Sequence, residues 1–350
     1  MSGFYPISKE ISCKISNMGF VCACLVVSIH VWPHPIDGMA GHLDKILAGG
    51  VSCVAVPSFF CISGFLLASK IKVGNWKSEV RKRVITLVVP FLLWGLISMV
   101  AGFSRAIITD IILHQPFGTS FYKDKSAIEV IVGWLGLDLS KPPLSIPLWY
   151  LRTLFLFVLL SPGLFWLVKK FHWYAVGGMI AFYYLWGAFD GIIPEILKKI
   201  VSESFPLIGL TAFSLGMFLR QKGLHLGNKV CACCSLIAGL MLWAFSTYYR
   251  NISGLQPVII ACLGYALWVA IPERPFPVFL RQSAFPMYVM HAIFLGYFQL
   301  SLMAPKYFPT TSHLAGFLMH WIGAIILSIV SSVILHRFFP RVSSVLFGHR

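Results

Sequence analysis

The sequence is poor in charge. Of its 350 residues only 11% are charged, and only 12 are acidic, against roughly 25% charged in an ordinary soluble domain. A water-soluble fold of this length could not cover its surface with so few charges, and disorder and coiled coil fail on the same ground. There is no collagen-like period, no low-complexity segment and no strong internal repeat. Cysteine occurs nine times, an odd number, at Cys13, Cys22, Cys24, Cys53, Cys61, Cys231, Cys233, Cys234 and Cys262. Nearly all lie inside or at the ends of apolar stretches, which excludes a disulfide-stapled secreted fold.

What the chain does contain is apolar surface. Hydrophobic residues make up 58%, and mean hydropathy is +0.81. That composition predicts an all-α, polytopic membrane bundle, forming one integral membrane domain over 1–350 with no appended soluble domain and no cleavable leader. A spanning helix needs about 20 apolar residues. Ten candidates fall at 17–32, 49–69, 84–103, 146–168, 173–190, 205–220, 230–248, 255–271, 283–302 and 314–336. The stretch 126–139 is too short to span; it reads as an interfacial or re-entrant element, or as an eleventh partial span.

The basic excess, 28 Lys and Arg for a net +16, then becomes a topology signal rather than a sign of nucleic acid, and no nucleic-acid partner is expected. With both termini cytoplasmic, 18 basic residues fall inside and nine outside, and the net charge is +15 inside and zero outside. Arg152 is left within a span.

The run CACC at 231–234 resembles a metal cluster only superficially, because no His accompanies it at ligand spacing. Small-residue helix packing is the expectation there, and no metal site is expected. An ionisable side chain within a span costs about 2.5–3.5 kcal/mol on insertion scales, so each one is a candidate functional group. His30 closes the run VCACLVVSIH ahead of the helix breakers Pro33 and Pro35, and an imidazole there suits general-base work on a hydroxyl. Tyr288 and His291, three apart, share a helix face; the hydroxyl either orients the imidazole or meets a substrate, or the two form a buried packing pair. His320 reads as a packing histidine. Arg152 cannot shed its proton, so it requires an anion, a ring of carbonyls or water. Arg81, Lys82 and Arg83 abut the third span, where a helix start and cations suit either a phosphorylated cytoplasmic ligand such as a nucleotide or coenzyme A, or anionic lipid headgroups.

Several segments together resemble the acyltransferase-3 family of integral membrane acyltransferases, which includes bacterial O-antigen and exopolysaccharide O-acetyltransferases. They are NMGFVCACLVVSIH, VPSFFCISGFLLASK, RKRVITLVVPFLLW, PLWYLRTLFLFVLLSP and SAFPMYVMHAIF, and they occur in the family's order over about residues 15–335. One departure stands out. The family commonly carries an Arg eleven positions before the first-helix His, about 16.5 Å along the helix, and here that position is Gly19. Lys14 or Arg83 is a candidate replacement cation; altered donor handling or lost activity are the other readings.

The resemblance implies transfer of an acyl group, usually acetyl, from a cytoplasmic acyl-CoA to a hydroxyl of a cell-surface glycan or its lipid-linked precursor. It implies a multi-pass protein of the bacterial inner membrane, with acetyl-CoA as co-substrate and no permanently bound cofactor. On this reading His30 is the base, with His291 and Tyr288 catalytic beside it. Arg81, Arg83 and Arg152 bind the donor, Arg152 also being an oxyanion candidate. Phe60, Ser63, Trp149 and Tyr150 line the substrate site. Ser63 lacks the strand–elbow–helix setting of a nucleophilic serine, and its Ser-Gly pair suits close helix approach. A glycan or metabolite transporter, or a non-catalytic envelope partner, are the alternatives that composition leaves open.

Overall fold

The computed structural model describes residues 7–31, 41–42, 45–71, 76–112, 114, 125–223, 227–250, 253–299 and 313–348. Among these residues there is no strand. The helices are α1 (Lys9–Ile29), α2 (Ala55–Ala68), α3 (Trp76–Arg83), α4 (Val89–Ile112), α5 (Ala127–Leu135), α6 (Trp149–Phe171), α7 (Trp173–Ala188), α8 (Glu195–Ser204), α9 (Leu207–Lys222), α10 (Lys229–Phe245), α11 (Gln256–Ala270), α12 (Val278–Gln282), α13 (Ala284–Phe298), α14 (His313–Phe338) and α15 (Pro340–Leu346). All ten expected segments fall on helix. Among the described residues, six helical stretches are long and apolar enough to cross a membrane: Lys9–Ile29, Lys45–Ala68, Trp76–Ile112, Ile146–Phe171, Lys229–Tyr248 and Ala315–Phe338. A seventh arises if α8 and α9, bent by 45° at Phe205–Pro206, make one broken span. The other segments, α7, α11 and α13, are 15 or 16 residues long.

The bundle is inverted relative to a soluble one. Along α14, Met319, Ile322, Ile326, Val330 and Val333 are exposed, while His320, Ser328 and Ser332 are buried. Apolar-out and polar-in is the arrangement of a helix whose outer face meets hydrocarbon.

The tightest interface joins α2 to α9. A Cβ on Gly64 would stand 1.9 Å from the Phe213 carbonyl oxygen, and one on Gly216 would stand 1.9 Å from that of Cys61. Two glycines facing each other's backbones bring the helices into main-chain contact, as small residues do in membranes. That is the packing role foreseen for the Ser63–Gly64 pair. The CACC run behaves differently from expectation. Cys231, Cys233 and Cys234 are exposed and free on α10, and Ala232 is the buried member, because at about 100° per residue the three cysteines fall on one side of the helix and Ala232 on the other.

Two further corrections concern helix limits. α1 begins at Lys9, eight residues before the expected start. Ser8 caps it, accepting from the Ile11 amide. Its polar first half is satisfied within the protein: Lys14 Nζ donates to the Ile271 carbonyl at 2.6 Å, and Asn17 Nδ2 donates to those of Pro272 and Arg274 at 3.0 and 2.8 Å. Lys14 therefore holds the end of α11 rather than replacing a cation at Gly19. Pro33 and Pro35 lie outside the described residues.

The 126–139 stretch proves to be a docked element. Trp76–Ile112 is one helical stretch of 37 residues, and α5 packs against its middle, not at its end. The Trp134 indole donates to the Leu92 carbonyl at 2.9 Å, nine residues or about 13.5 Å past Arg83. α5 closes both its ends, through a Ser126–Glu129 capping box and Gly136 in the left-handed region at φ 65°. A non-spanning helix at this depth needs such closure.

Candidate active site

α2, the end of α3 with the turn that follows it, α6, α9 and α13 line a cavity of about 290 Å³, and Ser63, Arg83, Tyr150, Phe213 and Tyr288 are on its wall. Four of the residues singled out from sequence, spread over 225 positions of chain, thus meet in one space: Ser63, Arg83, Tyr150 and Tyr288. The Ser63 and Tyr150 hydroxyls are 3.2 Å apart. Tyr150 and Tyr288 meet edge to face with ring centroids at 5.6 Å. Phe60 is fully buried behind this wall, 4.7 Å from the Tyr150 ring and 6.2 Å from Trp149. Phe60 and Trp149 support the lining instead of forming it.

Helical arithmetic accounts for the selection. Tyr150, Leu154 and Val158 face the cavity at four-residue spacing. Pro162 removes the amide that would bond to the Val158 carbonyl, and two donors replace it: Ser161 Oγ at 2.6 Å and the Trp76 indole at 3.4 Å. A proline in a spanning helix is tolerated on such terms.

Arg152, two residues from Tyr150, is turned about 200° away. Its guanidinium donates to the carbonyls of Asp138 (3.0 Å), Lys141 (2.9 Å) and Glu203 (3.0 Å). Ser204 adds a hydrogen bond to the Leu139 carbonyl at 2.7 Å. Of the three environments an intramembrane arginine can use, this is the ring of carbonyls. The loop leaving α5 and the C-terminus of α8 both end in main-chain acceptors that hydrocarbon would leave unpaired, and one planar fork serves both. Nearby, the Ser140 hydroxyl and amide donate to Asp138 and hold its carboxyl below the usual range. Arg152 thus stands apart from Arg83 and off the cavity, at odds with a donor-binding role. Arg81 is exposed and also off the cavity wall. Arg152→Ala is expected to destabilise the fold by several kcal/mol, since each orphaned buried acceptor costs about 1–3 kcal/mol. Arg152→Lys recovers only part, because an ammonium lacks the fork. Thermal unfolding of the purified variants measures this, and a wild-type Tm for Arg152→Ala would remove the role.

The histidines come together one turn beyond the cavity. Ala284, Phe285 and Tyr288 line it from α13, and His291 follows three residues, about 4.5 Å, further along. The His291 and His30 rings lie 5.1 Å apart at 34°, although 261 positions separate them. His291 is fully buried. Its Nδ1 is 3.1 Å from the Met287 carbonyl, so Nδ1 carries the proton and donates, and Nε2 keeps its lone pair. That Nε2 is buried and has no hydrogen-bond partner among the described residues. His30 caps the C-terminus of α1 and is half-buried. The Tyr288 hydroxyl donates to the Pro147 carbonyl, so its single proton tethers the start of α6 instead of reaching His291. His320 stacks on Phe298 at 5.4 Å, a packing contact. A Cβ on Gly19 would meet nothing within 4 Å, so the space beside the missing arginine is open.

Sequence reasoning missed Phe213 and Phe285, apolar side chains that nothing local distinguishes from packing residues. It also missed a second cavity near α7, where the cluster Tyr183, Tyr184 and Trp186 beside Asp190 was a signal available to find it. Among the described residues, no group of three or more His, Cys, Asp or Glu side chains is placed to hold a metal ion.

Residues 17–337 match the sequence profile of the Acyl_transf_3 family, described as an acyltransferase domain. The chain is 26% identical over 232 residues to the Succinoglycan biosynthesis protein ExoH of Rhizobium meliloti (strain 1021). That alignment covers 63% of this chain and 57% of the relative, so the match spans little more than half of that protein's length. No solved structure matches the chain.

Proposed function

The chain belongs to the acyltransferase-3 family, and on that premise we propose that it moves an acyl group, acetyl by preference, from acyl-CoA to a hydroxyl of a cell-surface polysaccharide or its lipid-linked precursor. The observation that carries this reading is the juxtaposition of His30 and His291 one turn beyond a cavity that also holds Arg83. The similarity to a succinoglycan biosynthesis protein favours a glycan as acceptor.

Acyl transfer from a thioester has three needs. A base must take the acceptor hydroxyl's proton as oxygen attacks the carbonyl. Donors must stabilise the tetrahedral oxyanion. The thiolate must then leave and be reprotonated. We assign the base to His30, the half-buried member of the pair, with the fully buried His291 backing it and Tyr288 holding the helix starts in register. The cavity volume suits an acyl chain and the narrow arm that carries it, and lies at the small end of ligand pockets. A nucleotide does not fit inside; its phosphates would stay at the mouth, where Arg83 stands. In this reading ten helices cross the inner membrane of a bacterium, with both termini cytoplasmic.

Incubating the purified protein with labelled acetyl-CoA and an acceptor polysaccharide tests this directly. Label should move to the glycan. Arg83→Ala should raise the donor KM about tenfold and Arg81→Ala should leave it near wild type, because only Arg83 lines the cavity. Wild-type protein that neither binds nor consumes acetyl-CoA would sink the enzyme reading.

A further inference from the structure

We propose that a second cavity, about 580 Å³ between α7, the α8–α9 bend and the start of α11, is a saccharide subsite that holds the acceptor glycan. The proposal rests on the acyltransferase reading and specifies where its acceptor binds. Tyr183, Tyr184, Trp186, Asp190, Ser202 and Gln256 are on the wall of this groove.

The chemistry of that set is what a pyranose requires. A sugar ring presents a patch of C–H bonds, which packs flat on an aromatic face, and a rim of hydroxyls, each able to donate and accept. Three aromatic side chains within one turn of α7 supply faces with polar tips. A carboxylate, a hydroxyl and a carboxamide supply acceptors and donors. A wall facing only hydrocarbon would carry none of those three, given what polar groups cost there. The wall is also braced before any ligand arrives. Asp190 and Lys198 form an ion pair at 3.2 Å, and the Tyr184 hydroxyl donates to the Gly254 carbonyl at 2.8 Å. The volume lies within the usual range for ligand sites and is twice that of the first cavity.

The groove and the first cavity share a helix, α9. Leu207 lines the groove and Phe213 lines the cavity, six residues or about 9 Å apart along α9. Glu203, which follows Ser202, is tied by its carbonyl to Arg152 on α6, the helix whose Tyr150 and Leu154 line the cavity. A glycan in the groove therefore lies against α9, which also lines the donor site, and beside a segment hydrogen-bonded to α6.

The test uses the whole chain in lipid nanodiscs free of glycoside detergents, whose headgroups would compete. Gluco-oligosaccharides of two to six units are titrated by saturation-transfer NMR, and the same sugars serve as acceptors for labelled acetyl-CoA. Wild type should bind them. Trp186→Ala and Asp190→Asn should each weaken binding at least tenfold and raise the acceptor KM, with kcat within twofold. His30→Ala should bind sugar normally and transfer nothing. If both groove variants bind and turn over as wild type, the subsite is overturned and the acyltransferase reading is untouched. If wild type binds sugar through Trp186 yet transfers no acyl group, the subsite is upheld and the enzyme reading fails. Absence of binding by every sugar overturns the subsite. So does brominated-lipid quenching of wild-type fluorescence that is lost in Trp186→Phe, since the bilayer then fills the groove.

Discussion

Replacing His30 by alanine is expected to lower acyl transfer about 10²–10⁴-fold, the usual contribution of a positioned general base. The protein should stay folded, because a half-buried C-terminal residue of α1 contributes little core volume, and donor binding should persist, because Arg83 is untouched. His291 allows a sharper version. Its Nε2 is a buried acceptor with no partner among the described residues, so His291→Phe keeps the ring packing while removing an unsatisfied polar atom. The double expectation is a Tm at or above wild type together with a kcat reduced at least tenfold and an unchanged donor KM. A core-packing histidine would give the first result without the second. Transfer at wild-type rates in His30→Ala would refute the base assignment, and equal rates in His291→Phe would reduce the ring pair to packing.

The largest effect on stability is expected at the α2–α9 crossing. Gly64→Val and Gly216→Val each drive a Cβ to within 1.9 Å of a main-chain carbonyl oxygen. No flexible side-chain tip is there to give way, so the two helices must part. Because this crossing also positions Ser63 and Phe213, the cavity opens with it. Each variant should lose more than about 4 kcal/mol, beyond what a marginally stable fold tolerates, and should aggregate on size-exclusion chromatography after extraction. Gly177 provides the control of opposite sign. A Cβ there meets nothing within 4 Å, and glycine inside a helix costs about 0.5–1 kcal/mol relative to alanine, so Gly177→Ala should raise Tm. A folded, monodisperse Gly64→Val would show that the crossing is not as close as the backbone places it.

Much of the site was legible as a set of residues and little of it as an arrangement. His30, Tyr288 and His291 were visible because polar groups inside apolar runs are costly and therefore stand out. That Arg152 serves carbonyls and Arg83 faces the cavity was not visible. Both are cations beside apolar runs, although Arg83 proves to lie within the continuous helical stretch Trp76–Ile112 and not at the helix start expected there. The distinction depends on which 100° step of the helix each occupies and on what the facing elements present. The same holds for Lys14, whose carbonyl partners lie 255 and 257 positions away, and for the cysteines of α10, which differ from packing residues only in facing outward.

Composition by itself determined the solvent and the class of fold: with 11% charged residues and 58% hydrophobic ones, helices in a bilayer are the arrangement that leaves no backbone polar group unpaired. Hydropathy also located the ten helical segments, because an apolar run long enough to approach the membrane's thickness is a local property. Tertiary structure alone decided which polar groups share a space. Contact between His30 and His291, the fork of Arg152 and the aromatic groove of α7 all depend on helix rotation and crossing distance. Those are set by side chains and glycines far apart in the chain, and no local pattern records them.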